Sequence, residues 1–274
     1  MSGIFPKKGF PTPPQRVRDC GNGTFDLLCE QTWNNRRTSV NSIFEGISKA
    51  ASLIVNLDAE LMQIILLSLR VSGSALVIAT ILAVPTAGLL GLKRFPGRGA
   101  VLSVLNTFMG LPPVVVGLFV YLLLSRSGPL GFLALLYSPT AMIIAQIILS
   151  YPIVASLCHT AIVSVDPIVK QASMALGATP FQVSLTVINE ARYGIMSAVI
   201  AGFGRVTAEV GAVLMVGGNI AGFTRVMTTT IALETDKGNF ELALALGIIL
   251  LALSLAINLV LRFVQKKGAL RAET

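Results

Sequence analysis

The stretch "DPIVKQASMALGATPFQVSLTVINEARYG", residues 166–194, decides how the chain is read, because it interrupts a sequence that is otherwise built for lipid. Asp166 is a good N-cap and Pro167 suits the first helical position, so a helix is expected from there to Gly177. At ten residues it would be roughly 15 Å long, half of a bilayer core. Thr179 and Pro180 repeat the same start signal, and Phe181, Leu185 and Ile188 carry the second helix towards the next apolar run. The expected element is helix, glycine turn, helix, too short to cross a membrane and placed between segments that do.

Outward from this stretch the composition is that of an integral membrane protein. The 274 residues are 54% hydrophobic and only 12% charged, with a mean hydropathy of +0.78. Five apolar runs are long enough to span as helices: Val71–Leu92, Val101–Leu124, Ala141–Val163, Ile195–Val216 and Leu242–Val264. The formal charge of +8 does not point to nucleic acid, because the basic residues sit beside the runs. Lys93, Arg94 and Arg98 fill the first connection, Lys170 and Arg192 the third, and Arg262, Lys266, Lys267 and Arg271 follow the last run. The excess of positive charge places all three on the cytoplasmic side, the C-terminus with them and the N-terminus outside.

The first 42 residues contain Pro6, Pro11, Pro13 and Pro14, scattered charge and no apolar run. They read as a disordered extension and not a signal peptide, and part of them as an over-extended start. From Ile43 the apolar residues recur at helical spacing with Glu45, Ser48, Lys49 and Ser52 between them, the pattern of an interfacial amphipathic helix. Arg70 is expected at the outer end of the first span, where it can snorkel to the headgroups. Cys20 and Cys29 could pair if the N-terminal stretch is exported, Cys158 reads as a packing residue, and no metal-ligand spacing occurs.

Several residues inside or beside the spans are open to two readings. Pro112 and Pro113 lack amide hydrogens and must bend or open the second span, as a gate or as a plain kink. Arg205 and Glu209 lie four apart inside the fourth span, so they either neutralise each other or Arg205 serves an anion path. Gly217, Gly218 and Asn219 open an outer segment with Thr224, Arg225 and further threonines, which is either a surface turn or a set of donors for an anion or a docking protein. His159 reads as a packed histidine before a proton relay.

The stretch "QASMALGATPFQVSLTVINEAR" resembles the coupling loop of ATP-binding-cassette importer permeases, whose pattern is Glu-Ala-Ala, three residues, Gly, then Ile-x-Leu-Pro. Gln171, Ala172 and Ser173 stand where Glu-Ala-Ala would, Gly177 matches between Leu176 and Ala178, and Val187 takes the Ile place. Two departures occur: Gln171 removes a charge the family can use against its ATPase, and Asn189-Glu190 replaces Leu-Pro. The similarity extends over about residues 60–265, through "SLRVSGSALVIATILAVPTAGLL" (68–90), "KRFPGRG" (93–99) and "LPPVVVGLFVYLLLSRSGPLG" (111–131). The wording "EVGAVLMVGGNI…TRVMTT…LET" within 203–251 resembles the tungstate-type permeases more than the molybdate type.

The resemblance implies an all-α polytopic fold of the type I importer class, with a permease domain over 43–270 and its coupling loop at 164–193. It also implies a homodimer in the cytoplasmic membrane, cytoplasmic ATPase subunits and an extracytoplasmic oxyanion-binding protein. The chain has no Gly-Lys dipeptide and so no phosphate-cradling loop; ATP and Mg would be bound by the partner, with no cofactor here. Molybdate or sulfate transport remains the alternative within this class. An ion-coupled carrier would show a repeat of its spans and membrane-embedded acids, of which only Glu209 is present, and a membrane-embedded enzyme would need clustered His, Asp or Glu within the spans.

Overall fold

A computed structural model of the chain describes residues 59–93 and 95–270. The N-terminal extension, the amphipathic pattern from Ile43 and the cysteines at 20 and 29 lie outside the described residues. What is described is helical: α1 (Ala59–Leu92), α2 (Arg98–Met109), α3 (Pro113–Leu124), α4 (Pro139–Val163), α5 (Pro167–Ala175), α6 (Pro180–Glu190), α7 (Arg192–Thr207), α8 (Gly211–Gly217), α9 (Met227–Asp236) and α10 (Phe240–Leu270).

Three of these, α1, α4 and α10, are long and apolar enough to cross a membrane by themselves, and the bent pairs α2/α3 and α7/α8 each qualify as a broken span or a re-entrant loop. The all-α polytopic expectation therefore holds, while two of the five expected rods are corners. Helices α2 and α3 meet at 102°, because Gly110 closes α2 and Pro112, at φ −64° and ψ 124°, is extended ahead of Pro113. Helices α7 and α8 meet at 58°.

The first span also differs from expectation. Its helix is described from Ala59, twelve residues before Val71, and Leu61 and Ile64 of this upstream part bury against Met227, Ala245, Leu246 and Ile249. Gln63, Ser68 and Arg70 break the hydropathy of that stretch without breaking the helix. Arg70 lies within α1, eleven residues after its first described residue.

The centre is α1 against α4, with α7 on both. Ala75, Ala79, Ala83 and Ala87, each fully buried, form one stripe down α1 at a spacing of four, which lets the backbone approach α4 at Val154, Ala155 and Cys158. Helices α3 and α8 pack on the other side of α4, through Val116, Met142, Val213 and Val216. A side chain at Gly202 of α7 would meet Val154 at 2.6 Å, and one at Gly117 of α3 would meet the Ala212 backbone at 2.8 Å.

These close approaches generate a stability prediction. Gly117→Val must push α3 from α8 and is expected to cost about 2 kcal/mol, read as a lower Tm of the detergent-solubilised protein. Gly204→Ala, where an added Cβ meets nothing within 4 Å, should leave Tm unchanged or slightly raised.

Candidate functional site: coupling helices and broken spans

The short helices form as their cap residues dictate. The Asp166 carboxylate accepts the Ile168 amide at 2.9 Å and Pro167 opens α5. At the other end Gly177 takes φ +80°, a left-handed conformation that costs a side chain, so that its amide reaches Met174 O and the Ala178 amide reaches Ser173 O at 3.1 Å. Ser173 also donates its hydroxyl to Val169 O. One residue on, Thr179 and Gln182 cap α6 reciprocally: Gln182 Oε1 accepts the Thr179 amide at 2.8 Å and Thr179 Oγ1 accepts the Gln182 amide at 3.4 Å. Both ends of the turn at 176–179 are therefore locked.

The two helices differ in how they are held. Helix α6 buries Val183 and Val187 and lays Ile188 against Gly88 of α1, where a Cβ would sit 3.2 Å away. Helix α5 has no buried residue and packs on α6. Leu176 is 88% exposed and Phe181 76%, with Ile168, Met174 and Leu185 also exposed. Gln171 and Ala172 are exposed beside them. An apolar patch on a double-capped turn, held by its other face to α1 and α7, has the character of a docking knob. Ile168 and Met174 were not singled out from sequence; their signal was apolar residues at helical spacing in a helix too short to span.

A second set of residues gathers at the two corners. Glu209, 4% exposed, lies in the break between α7 and α8. Its Oε1 accepts the Ala212 amide at 3.0 Å, and Arg205 Nη1 lies 3.8 Å from Oε2. The ion pair expected within a continuous helix thus spans a break, because the carboxylate satisfies the amides of a new helix. The Pro112–Pro113 corner is its neighbour: a Cβ on Gly211 would lie 3.0 Å from Val114 Cγ2 and 3.8 Å from Val114 N. Thr228 donates its hydroxyl to Glu209 O, bringing the start of α9 to the same place. Gln146, a lone amide in the apolar α4, donates to Val206 O at 3.5 Å.

Over residues 64–268 the chain matches the family described as binding-protein-dependent transport system inner membrane component. The chain belongs to this family of permeases. It is 47% identical to a probable anion ABC transporter permease protein of Haloferax volcanii, over 72% of this chain and 88% of that one. It is 40% identical to a tungstate uptake system permease protein of Peptoclostridium acidaminophilum, over 82% of this chain and 99% of that one. The structure of a bacterial alginate ABC transporter, in complex with an alginate pentasaccharide-bound periplasmic protein, has a chain of the same fold: TM-score 0.68 at 18% identity, covering 88% of this chain and 92% of that one.

In the permease the segment after Gly217 is a tightly bonded turn. Gly218 and Asn219 have φ of +69° and +51°. Thr224, fully buried, donates to Gly217 O at 2.6 Å and accepts the Ile220 amide at 3.0 Å. Thr229 donates to Asn219 Oδ1 and Thr230 to Val226 O. The threonine hydroxyls at 224, 229 and 230 build the turn, on which Arg225 is half-buried. Glu234 follows on α9; the Lys237 ammonium, 2.8 Å away, holds its carboxyl below the usual range, helped by the Asn239 amide and against the effect of burial.

The corner geometry separates two roles for the acid. Glu209→Ala should lower Tm of the purified permease by the equivalent of about 1–2 kcal/mol, the worth of a helix cap. Glu209→Gln, which can still accept the Ala212 amide, should retain most of that stability. Arg205→Ala, removing a one-third exposed partner at 3.8 Å, should change Tm less than Glu209→Ala. Equal losses in Arg205→Ala, Glu209→Gln and Glu209→Ala would mean that the ion pair, and not the cap, holds the corner.

Proposed function

We propose that this permease carries a tetrahedral oxyanion, tungstate first, across the cytoplasmic membrane, driven by ATP hydrolysis in a separate cytoplasmic subunit. Two copies would form the pathway, and an extracytoplasmic binding protein would deliver the anion. The observation that carries the reading is the exposed knob at Leu176 on a turn rigidly capped on both sides. An exposed leucine on so ordered a turn is stabilised by a partner that covers it. The substrate class rests on the anion and tungstate permeases that the chain matches over most of its length.

The same geometry supports the orientation. Gln265 of α10 donates to Tyr193 O and Ser197 Oγ near the start of α7, and Arg98 at the start of α2 lies 3.3 Å from His159 near the end of α4. Lys93, Arg98, Arg192 and Arg262 thus share the end of the bundle that carries α5 and α6, and an excess of positive charge belongs to the cytoplasm. A push on Leu176 passes through α5 to α6, whose Val183, Val187 and Ile188 bear on α1 and α7. Helix α7 ends at the Glu209 corner, beside the Pro112–Pro113 corner, where broken helices can change angle without losing mid-helix hydrogen bonds.

The test is made in cells that express the permease with its ATPase and binding protein. Leu176→Asp should reduce ATP-dependent tungstate uptake at least about tenfold, since an unpaired charge at the centre of an interface costs more than ~1.4 kcal/mol. Leu176→Cys should crosslink to the ATPase. Uptake unaffected by Leu176→Asp together with no crosslink would sink the coupling role, and uptake of molybdate or sulfate in place of tungstate would reassign the substrate.

A further inference from the structure

By its sequence Arg70 has no role beyond reaching the headgroups, but the fold places it on a wall that it shares with a second arginine. A cavity of about 200 Å³ is lined by Gln63, Leu66 and Arg70 of α1 and by Gly222 and Arg225 of the turn between α8 and α9. The turn is fastened there by the Met227 amide, which donates to Ser68 Oγ at 2.9 Å. We propose that Arg70 and Arg225 form an anion-capture site, the place where a tetrahedral dianion first binds this chain. The proposal deepens the reading of the chain as an oxyanion permease and rests on it.

The position suits capture on the far side from the motor. Gly88 of α1 touches Ile188 of the coupling helix α6. Arg70 is eighteen residues earlier on the same helix, roughly 27 Å at 1.5 Å per residue, close to the hydrocarbon thickness. The cavity therefore opens at the membrane face opposite the coupling helices.

The chemistry suits an oxyanion. A guanidinium presents several donors in a planar fork that matches two oxygens of a tetrahedral anion, and Gln63 adds an amide. No described residue forms a hydrogen bond or ion pair with Arg70, whose side chain is exposed, so its donors are open to a ligand arriving at that face. The volume is more than ten times the ~15 Å³ that one water needs, so it can take an anion with part of its hydration.

A route onward is marked in the same region. Across the Ser68–Met227 contact lies a cavity of about 30 Å³, lined by Ser72, Gln146, Thr207, Glu209 and Thr228 among others. Gln146 Oε1 and Thr207 Oγ1 face no partner among the described residues. This space, at the α7/α8 corner, takes a water or two and no oxyanion. The anion held between Arg70 and Arg225 therefore waits until the corner opens.

The test uses the full permease assembled with its ATPase in nanodiscs, with Cys20→Ser, Cys29→Ser and Gln63→Cys; Cys158 is buried. The thiol introduced at 63 should react several-fold faster with an anionic methanethiosulfonate than with a cationic one, and Arg70→Gln or Arg225→Gln should abolish that preference. Added tungstate should slow the labelling, and Arg70→Gln should weaken this protection about tenfold, the effect of one charge-assisted hydrogen bond. Arg70→Lys should keep the charge preference but protect less well than the native residue, since an ammonium lacks the fork. Equal labelling by both reagents, or no protection by tungstate, molybdate or sulfate, overturns the site even if uptake is normal. Protection in a permease that imports none of these anions upholds the site and removes the transport reading instead.

Discussion

Hydrocarbon offers no hydrogen bonds to an exposed backbone, and that constraint shapes this molecule most clearly where its spans are broken. Each break must supply its own partners. At residues 110–113 the supply is partly a subtraction, since Pro112 and Pro113 bring no amide hydrogens that need an acceptor. At residues 208–211 it is an addition: the Glu209 carboxylate takes the Ala212 amide and Thr228 gives its hydroxyl to the Glu209 carbonyl. A buried acid, costly by itself, becomes tolerable because one oxygen caps a helix and the other lies near Arg205.

The two corners touch through Gly211 and Val114, so the two helix breaks are neighbours in the bundle. The alanine stripe of α1 and its partners on α4 are close-packed, since small residues packed at that spacing interdigitate closely. The coupling helices are held unequally. Helix α6 is keyed into the bundle by Val183 and Val187, whereas α5 buries nothing and is held only by its neighbour and its caps.

Much of this was legible residue by residue. The two short helices begin and end where Asp166, Pro167, Gly177, Thr179 and Pro180 say they should, because caps act within a few residues of themselves. Apolar length located the spans, since burial in lipid depends on each segment's own composition. The upstream part of α1 was not legible, because Leu61 and Ile64 are paired with residues 227–249, far along the chain. Glu209 looked like half of an ion pair because spacing cannot reveal that the helix stops beneath it. The threonines after Asn219 could be read as a turn or as a set of donors, and only the folded turn shows three of them bonded inward.

Sequence alone determined that the chain is an all-helical membrane protein with a capped helical interlude, because hydropathy and capping are local properties. Tertiary structure alone decided that two spans turn corners, that those corners meet, and that Arg70 shares a cavity with Arg225. These depend on which distant side chains reach an amide or a wall first, and no stretch of sequence carries that information by itself.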